Sequence, residues 1–547
     1  MSWRSDIRVV VAIDFGTTYS GFAYAHKQNP EIITNDVWPE VIGTIKTNTV
    51  LQYDEKYKNV QEWGYPALAK RPQRKGRSKN VVYKPVELFK LHLGDIPESE
   101  KRPLPKGLDY KKAITDYLRE MGTLEVRWPG LDFLNHVLMV LTVPAEYSEK
   151  SKGILRECAY NAGLIGNLKS EKLQFSTEPE AAAIHCMRVL KEYFATTEGK
   201  SFLIVDAGGG TVDLTTRRFI TGDQLGEVTE RTGDFCGSAY VDREFLKLMK
   251  RHIGDQTMNI LEEQHYGQLQ YMVQEFCRRV KLLFTGNPEE FKIFELDLEE
   301  VCPVVKQYVT GSYKEKLEDD EWIIELDFES VKAMFDPIIG RIIRLISGQL
   351  NAGGECSVMF LVGGFSESKY LQSRIRQEFA SRIKDIAVPK QPQAAIVRGA
   401  LDYGLKMDTI KTRVLKYTYG IEVQNLHGMF DPPERKVDGK YIFKFHKLVE
   451  RGQEVGVDEA FGESFKPLEH TTSLRFTVYF TKEKKGTYCD ELGMSLLGEI
   501  IVDMPDTYLG KERPVDFRLM FGRMEITAIA KNQLTGHEYK STFKLEL

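Results

Sequence analysis

Two short stretches carry residues whose types and spacing could do chemistry. In Val9–Ala25, VVVAIDFGTTYSGFAYA, Asp14 closes an apolar run and Gly16, Thr17 and Thr18 follow. In Ser201–Thr216, SFLIVDAGGGTVDLTT, Asp206 closes the run Phe202–Val205, and Gly208, Gly209, Gly210 and Thr211 follow. A glycine-bearing turn leaves backbone N–H groups open to an anion, because no side chain stands in the way. A carboxylate at its root can hold a hard cation against that anion. Together they suit a polyphosphate carrying Mg²⁺. One such turn is weak evidence, since glycine turns between strands are common. Two with the same internal order point to a duplicated α/β lobe with two tips across a cleft.

Other candidates are ambiguous one by one. Glu178 opens the alanine-rich STEPEAAAI, where a carboxylate also simply suits a helix N-terminus. Lys90 lies in PVELFKLHL and on periodicity alone is an ordinary surface lysine. VMFLVGGFSES, Val358–Ser368, runs a strand into Gly363-Gly364 and a helix. That junction admits a ligand to backbone and helix N-terminus, or is only a tight turn.

The elements that must position these residues are legible in outline. Each glycine stretch reads as strand–turn–strand, and Leu138–Pro144 as a buried strand. Glu149–Ala162 reads as a helix with Gly163 as its C-terminal cap. Glu244–Ile253, Gln268–Phe284 and Phe328–Leu350 are helical patterns, and Pro85–Leu93 has apolar residues at helical spacing. Lys314–Glu321 reads as an acidic surface turn. From about Asp408 the helical patterns stop. Leu474, Phe476, Val478 and Phe480 alternate, Gly498–Val502 and Phe517–Phe521 continue in that style, and Leu534-Thr535-Gly536 marks a hairpin. Short strands separated by turns predict an antiparallel β-sandwich.

Composition narrows the class. The chain has 547 residues, 42% hydrophobic and 28% charged, which fits a multidomain soluble protein. A net charge of −4 predicts no general attraction to nucleic acid or to an anionic membrane. The basic stretch Lys70–Lys79, KRPQRKGRSK, lacks interleaved aromatics and reads as a solvated loop. Seven scattered cysteines without a C-x-x-C pair read as reduced thiols in a cytosolic compartment. The N-terminus lacks a signal-peptide layout, and no apolar run reaches the ~18 residues of a membrane span.

Taken together the stretches resemble the heat-shock protein 70 (DnaK-like) chaperone family of the actin/sugar-kinase ATPase superfamily. IDFGTTYSGFA is similar to the family's first phosphate loop and VDAGGGTVDLT to its second. LTVPAEYSE resembles the strand with its proline switch, here Pro144, and STEPEAAAI its connecting segment. FLVGGFSESKYLQ resembles the adenosine-side motif, GDFCGSAYVDREF the ribose-side loop, and CRRVKLLFT the nucleotide-facing helix. FKLHLG resembles the segment bearing the catalytic lysine. KLVERGQEV and the final strands are similar to the start and end of the peptide-binding β-sandwich, and Met429–Lys444 looks like an insertion.

The resemblance implies a duplicated ribonuclease H-like, two-lobed domain over residues 1–405, with lobes of about 1–200 and 201–405. A linker at 406–415 and a β-sandwich at 416–547 follow. It implies slow hydrolysis of ATP to ADP by Lys90, Glu178, Asp206 and Thr211. Mg²⁺ is expected on Asp14 and Asp206, and a monovalent cation, K⁺, by Asp213. Nucleotide contacts are expected from Gly16, Thr17, Thr18, Tyr19, Gly208, Gly209, Gly210, Thr211, Gly237, Lys281, Thr285, Gly363 and Gly364. Protein or peptide clients and co-chaperones are the expected partners of a cytoplasmic or nuclear monomer. Several positions depart from the family. MDTIKTRV replaces the leucine-rich linker, and Glu367, Gln393 and Lys152 stand where a basic residue, an aspartate and an arginine are expected. No helical lid is expected after the last strand, which resembles an atypical, lidless branch. The rival readings are a nucleotide switch with little hydrolysis and a small-molecule kinase of the same fold.

Overall fold

The computed structural model describes residues 3–72, 85–98, 101–123, 131–193, 199–220, 224–521 and 525–542. Most of the basic stretch Lys70–Lys79 lies outside them. The fold is mixed α/β, with several sheets. The chain divides into two compact units. The first comprises residues 1–146, 155–215 and 232–406; the second comprises 147–154, 216–231 and 407–547.

Two sheets repeat one plan. In one, the order is Tyr19–His26, Val9–Asp14, Val137–Val143, Leu173–Thr177; in the other it is Val212–Ile220, Ser201–Ala207, Val358–Val362, Asp385–Ala387. Val9–Asp14 pairs antiparallel with its hairpin partner, Asp14 opposite Gly21, and parallel with Val137–Val143. Ser201–Ala207 pairs parallel with Val358–Val362 in the same way. The inner strands VVVAID, VLMVLTV and VMFLV are buried along their whole length. Uninterrupted apolar runs are what parallel strands covered on both faces require. The predicted hairpins, and the strands at Leu138–Pro144 and Val358, are therefore borne out.

Several helical readings need correction. Pro85–Leu93 is no α-helix but a short strand, Val86–Glu87, and a 3₁₀ turn, Phe89–Leu93. Leu88 between them takes the left-handed conformation, φ 60°, which an α-helix cannot contain. Lys314–Glu321 is mostly helix, Gly311–Asp319, because its charges are spaced on an exposed helical face. Tyr266–Phe276 ends short of Phe284 and widens into a π turn, Cys277–Lys281. Phe328–Gly353 is one helix despite Pro337 inside it.

In the second unit, two antiparallel four-stranded sheets share one core. One has the order Tyr441–Val449, Thr418–Leu426, Ser473–Thr481, Met494–Asp503; the other Ala460–Phe465, Val515–Met520, Thr527–Asn532, Glu538–Thr542. Phe476 of the first and Phe517 of the second stack at 4.5 Å. The strand Thr412–Val414 pairs with Glu454–Gly456, and Val414 N–H donates to the buried Glu227 at 2.8 Å.

Arg513 is 1% exposed, yet no carboxylate among the described residues holds it. Its guanidinium donates to five carbonyls, of Gly510, Thr471, Met504, Leu468 and Glu469, at 2.8–3.3 Å. Arg513 thereby fastens the loops around Leu468–Thr471 and Met504–Gly510. Arg513→Met strands those acceptors, each worth about 1–3 kcal/mol if left unpaired in the interior. Relaxation toward water recovers part of this, so the expected loss is about 3 kcal/mol. Urea unfolding followed by the near-ultraviolet signal of the second unit checks it. Arg513→Lys is expected to be nearly as damaging, because an ammonium has only three hydrogens to share.

Candidate functional site

The two glycine turns meet. A Cβ placed on Gly209 would fall 2.0 Å from Thr18 Oγ1, and one on Gly210 would fall 2.4 Å from Thr17 Oγ1. Glycine is needed there because the opposite hairpin leaves no room for a side chain. The second turn is fastened from behind: Gly237, Ser238 and Ala239 N–H donate to the carbonyls of Gly210, Gly208 and Gly209 at 2.8–3.1 Å. A Cβ on Gly237 would lie 2.5 Å from the Gly209 carbonyl carbon. The first turn is held by Thr49, whose N–H donates to Thr18 O at 2.8 Å and whose hydroxyl donates to Gly16 O at 2.9 Å.

One cleft of about 2630 Å³ is lined by Asp14, Gly16–Tyr19, Lys90, Glu178, Asp206, Gly208–Thr211, Lys281, Gly363 and Gly364. Small-ligand sites run about 300–1,000 Å³, so a nucleotide is amply accommodated. The segments supplying these residues are far apart in sequence and converge only because the parallel strands end on one side. Glu178 is the first residue of the helix Glu178–Tyr193, which follows directly on the strand Leu173–Thr177. Lys90 sits in the 3₁₀ turn and donates to Glu178 Oε1 at 2.8 Å, both side chains being buried. Gly363 has φ 83°, and a Cβ on it would meet Asp206 Oδ1 at 2.4 Å. The strand–Gly-Gly–helix junction thus brings backbone directly against the second aspartate.

The remaining predicted residues are placed as follows. Asp213 lies behind the lining, fully buried, and accepts Ala145 N–H at 2.7 Å. Gly237 also lies behind it, under the second turn. Lys281 ends the π turn and donates to Ser238 O at 2.7 Å and Asp242 Oδ1 at 2.6 Å. Tyr19 is half exposed on the cleft wall. Thr285 does not line the cleft; its hydroxyl donates to Glu290 at 2.9 Å. Glu367 and Gln393 both line the cleft, and Lys152 pairs with Glu149.

Sequence reasoning missed Lys46. It lines the cleft and donates to Asp14 Oδ2 at 2.6 Å, with its side chain 10% exposed. Thr142 donates to the other oxygen of Asp14 at 3.2 Å. No motif marks Lys46. Its one signal is a place directly before Thr47–Asn48, the stretch that pairs with Tyr19-Ser20.

Burial dominates the electrostatics. It raises the Asp206 carboxyl well above the usual range, and the charges of Glu178, Asp213 and Asp14 add to the rise. Glu178 is raised for the same reason, with Lys90 opposing. Asp213 is pushed up to about 7 by burial and by Glu178 and Glu146. Burial would lower the Lys46 ammonium, but its pair with Asp14, together with the charges of Asp206 and Glu178, outweighs that and raises it. Carboxyls crowded this way take up either protons or cations. Asp206 Oδ1 and Asp213 Oδ2 are buried and have no hydrogen-bond partner among the described residues. An orphaned carboxylate oxygen beside a glycine cradle fits a divalent ion. Among the described residues no three acidic, histidine or cysteine side chains close around one point. The unpartnered carboxylate oxygens fit Mg²⁺, which keeps most of its waters and needs only one or two carboxylates plus phosphate oxygens.

No helix among the described residues is long and apolar enough to cross a membrane. All seven cysteines are unpaired. No family model matches the chain. Heat shock 70 kDa protein 12A of Mus musculus is 26% identical over 628 residues, covering 99% of this chain and 92% of that protein. Heat shock 70 kDa protein 12B of Homo sapiens is 23% identical, covering 98% of this chain and 91% of its own. Chaperone protein DnaK of Halobacterium salinarum is 24% identical over 77% of this chain and 60% of its own. Along nearly its whole length the chain is a homologue of the heat shock 70 kDa proteins 12A and 12B, atypical members of the heat-shock protein 70 family.

Proposed function

We propose that the protein is a nucleotide-binding, chaperone-like ATPase. It would hold MgATP between two lobes of an actin-like domain, residues 1–405, joined through 406–415 to a β-sandwich at 416–547. The observation that carries the reading is the meeting of the two glycine turns, Gly209 on Thr18 and Gly210 on Thr17, with a carboxylate at the root of each. Homology to heat-shock 70 proteins supports nucleotide binding and a chaperone-like role.

In this reading the backbone of Gly16–Thr18 and Gly208–Thr211 cradles the phosphates. Mg²⁺, when bound, would supply positive charge against the phosphates. Asp206 and Asp14 would hold it, Asp213 would help hold a monovalent cation, and Gly363 keeps Asp206 in place. Lys90, anchored by Glu178, stabilises charge on the transferring phosphoryl group. Glu178, Asp206 and Thr211 orient the attacking water, and positioning supplies most of the acceleration. Lys281 and Gly364 border the nucleoside. The shared core of the two second-unit sheets supports a module for protein or peptide clients, and the unpaired cysteines support a reduced, cytoplasmic setting.

A second reading is a switch that binds nucleotide and hydrolyses little. The altered positions Glu367 and Gln393 on the cleft wall favour it. Calorimetric titration of the full chain with MgATP, MgADP and MgGTP tests the common core. Saturable binding of one nucleotide per chain is expected, and no heat with any of the three overturns it. Single-turnover assays with γ-labelled ATP separate the two readings: phosphate release faster than in buffer supports the ATPase, and bound but intact ATP supports the switch.

A further inference from the structure

The first wall of the cleft holds a charge that neither glycine turn requires. Lys46 directly precedes Thr47–Asn48, which pairs with Tyr19-Ser20, and Thr49 grips the first turn through Thr18 and Gly16. Its stem passes over Gly21, where a Cβ would meet Lys46 Cγ at 3.0 Å. The ammonium is therefore fixed by the same segment that fixes the phosphate turn. Of its three hydrogens one goes to Asp14, its only side-chain hydrogen bond among the described residues, and two are left for a ligand.

The two aspartates are consequently not equivalent. Asp14 is satisfied at both oxygens, by Lys46 and Thr142. Asp206 keeps Oδ1 without a partner among the described residues. Close to the two turns, Asp206 sits among the charges of Glu178, Asp213 and Asp14, and the Lys90 ammonium is paired with Glu178. A polyphosphate entering such a place needs cations beyond a single divalent ion.

We propose that Lys46 is a built-in cation of the nucleotide site, moored on Asp14 and shared with the phosphate oxygens, while Asp206 serves the divalent ion. The inference rests on the nucleotide reading above. It makes part of the affinity for ATP independent of metal.

The test is calorimetric titration of the full chain with ATP in excess Mg²⁺ and in excess EDTA. In the natural protein, removing the metal is expected to weaken ATP by about tenfold or less. In Lys46→Met it is expected to weaken ATP by about 100-fold or more, the scale of one charge-assisted hydrogen bond to phosphate. Lys46→Arg is expected to restore the smaller ratio. If Lys46→Met does not fold because Asp14 is left charged and alone, Asp14→Asn/Lys46→Met removes both charges and is compared instead. Equal metal ratios in natural and variant protein overturn the proposal. So does a loss beyond about 100-fold when metal is taken from the natural protein. In both cases MgATP binding survives, so the nucleotide reading stands. Failure to bind ATP even with Mg²⁺ sinks that reading and this one together.

Discussion

Lys90→Met is expected to lower single-turnover hydrolysis of ATP by about 100- to 1,000-fold, the usual loss when one fixed donor to developing charge is removed. The geometry behind this is a buried ammonium 2.8 Å from Glu178 and 5.6 Å from the centre of the Phe15 ring. Because both partners are buried, the variant also leaves Glu178 as a lone interior carboxylate. Breaking a buried pair from one side costs about 3–5 kcal/mol. That cost depends on pH, and its sign follows from the direction of the Glu178 shift. Burial already raises this carboxyl and Lys90 opposes the rise, so losing Lys90 raises it further. A group with a raised folded pKa favours the folded state below its ordinary value, about 4.3 for glutamate, and loses that benefit as pH climbs through the folded value. The stability deficit of Lys90→Met should therefore be full at neutral pH and shrink on acidification. Thermal melts at a series of pH values, against the natural protein, measure it. Glu178→Gln/Lys90→Met, which carries no charge at the pair, is expected to regain most of the stability at neutral pH and none of the turnover. Natural turnover in Lys90→Met would remove Lys90 from the mechanism.

How much of the fold and the site is legible in the sequence depends on where each signal lives. The hairpins are, because buried parallel strands and glycine turns are written in contiguous residues: VVVAID then GTT, FLIVDA then GGGT. The alternation at Leu474–Phe480 foretells a strand for the same reason. The pairing of Lys90 with Glu178 is not, since 88 residues separate them and neither stands in a local pattern. Only the family resemblance joins them. Lys46 escapes even that, because its meaning comes from Asp14, 32 residues earlier, across an irregular stretch of short strands. The helix boundary at Phe276 is hidden because a π turn keeps the apolar spacing while widening the backbone. Thr285, carried by the same resemblance, ends beyond that turn and is held by Glu290 rather than by the cleft.

A similar limit applies to what brings Glu178 to the site, and it yields a second large expected effect. Gly399→Ala should destabilise the first unit by about 3 kcal/mol or more, the upper range for forcing atoms into a filled interior. Gly399 lies in the helix Ala395–Leu405, packed on the helix Glu178–Tyr193, whose Ala181, Ala182 and Ala183 are fully buried. A Cβ on Gly399 would fall 1.7 Å from Ala181 O and 3.2 Å from His185 N. These are backbone atoms and cannot swing aside. Intrinsic preference runs the other way, since alanine gains about 1 kcal/mol over glycine inside a helix. The overlap is the larger effect because relieving it means parting two helices. One of them is pinned on its far side by Gly404, where a Cβ would meet Val10 and Val140 of the sheet at 2.5 and 2.8 Å. Parting them also carries Glu178 away from Lys90, and a shift of about 1 Å at such a place can cost about 100-fold in rate. Gly348→Ala supplies the contrast. Gly348 is an exposed position inside the helix Phe328–Gly353 with nothing within 4 Å of its added Cβ. There the helix preference acts alone and a gain of up to about 1 kcal/mol is expected. Urea midpoints of the two variants should fall on opposite sides of the natural protein. If Gly399→Ala moved upward with Gly348→Ala, the close crossing would not be what fixes the helix bearing Glu178.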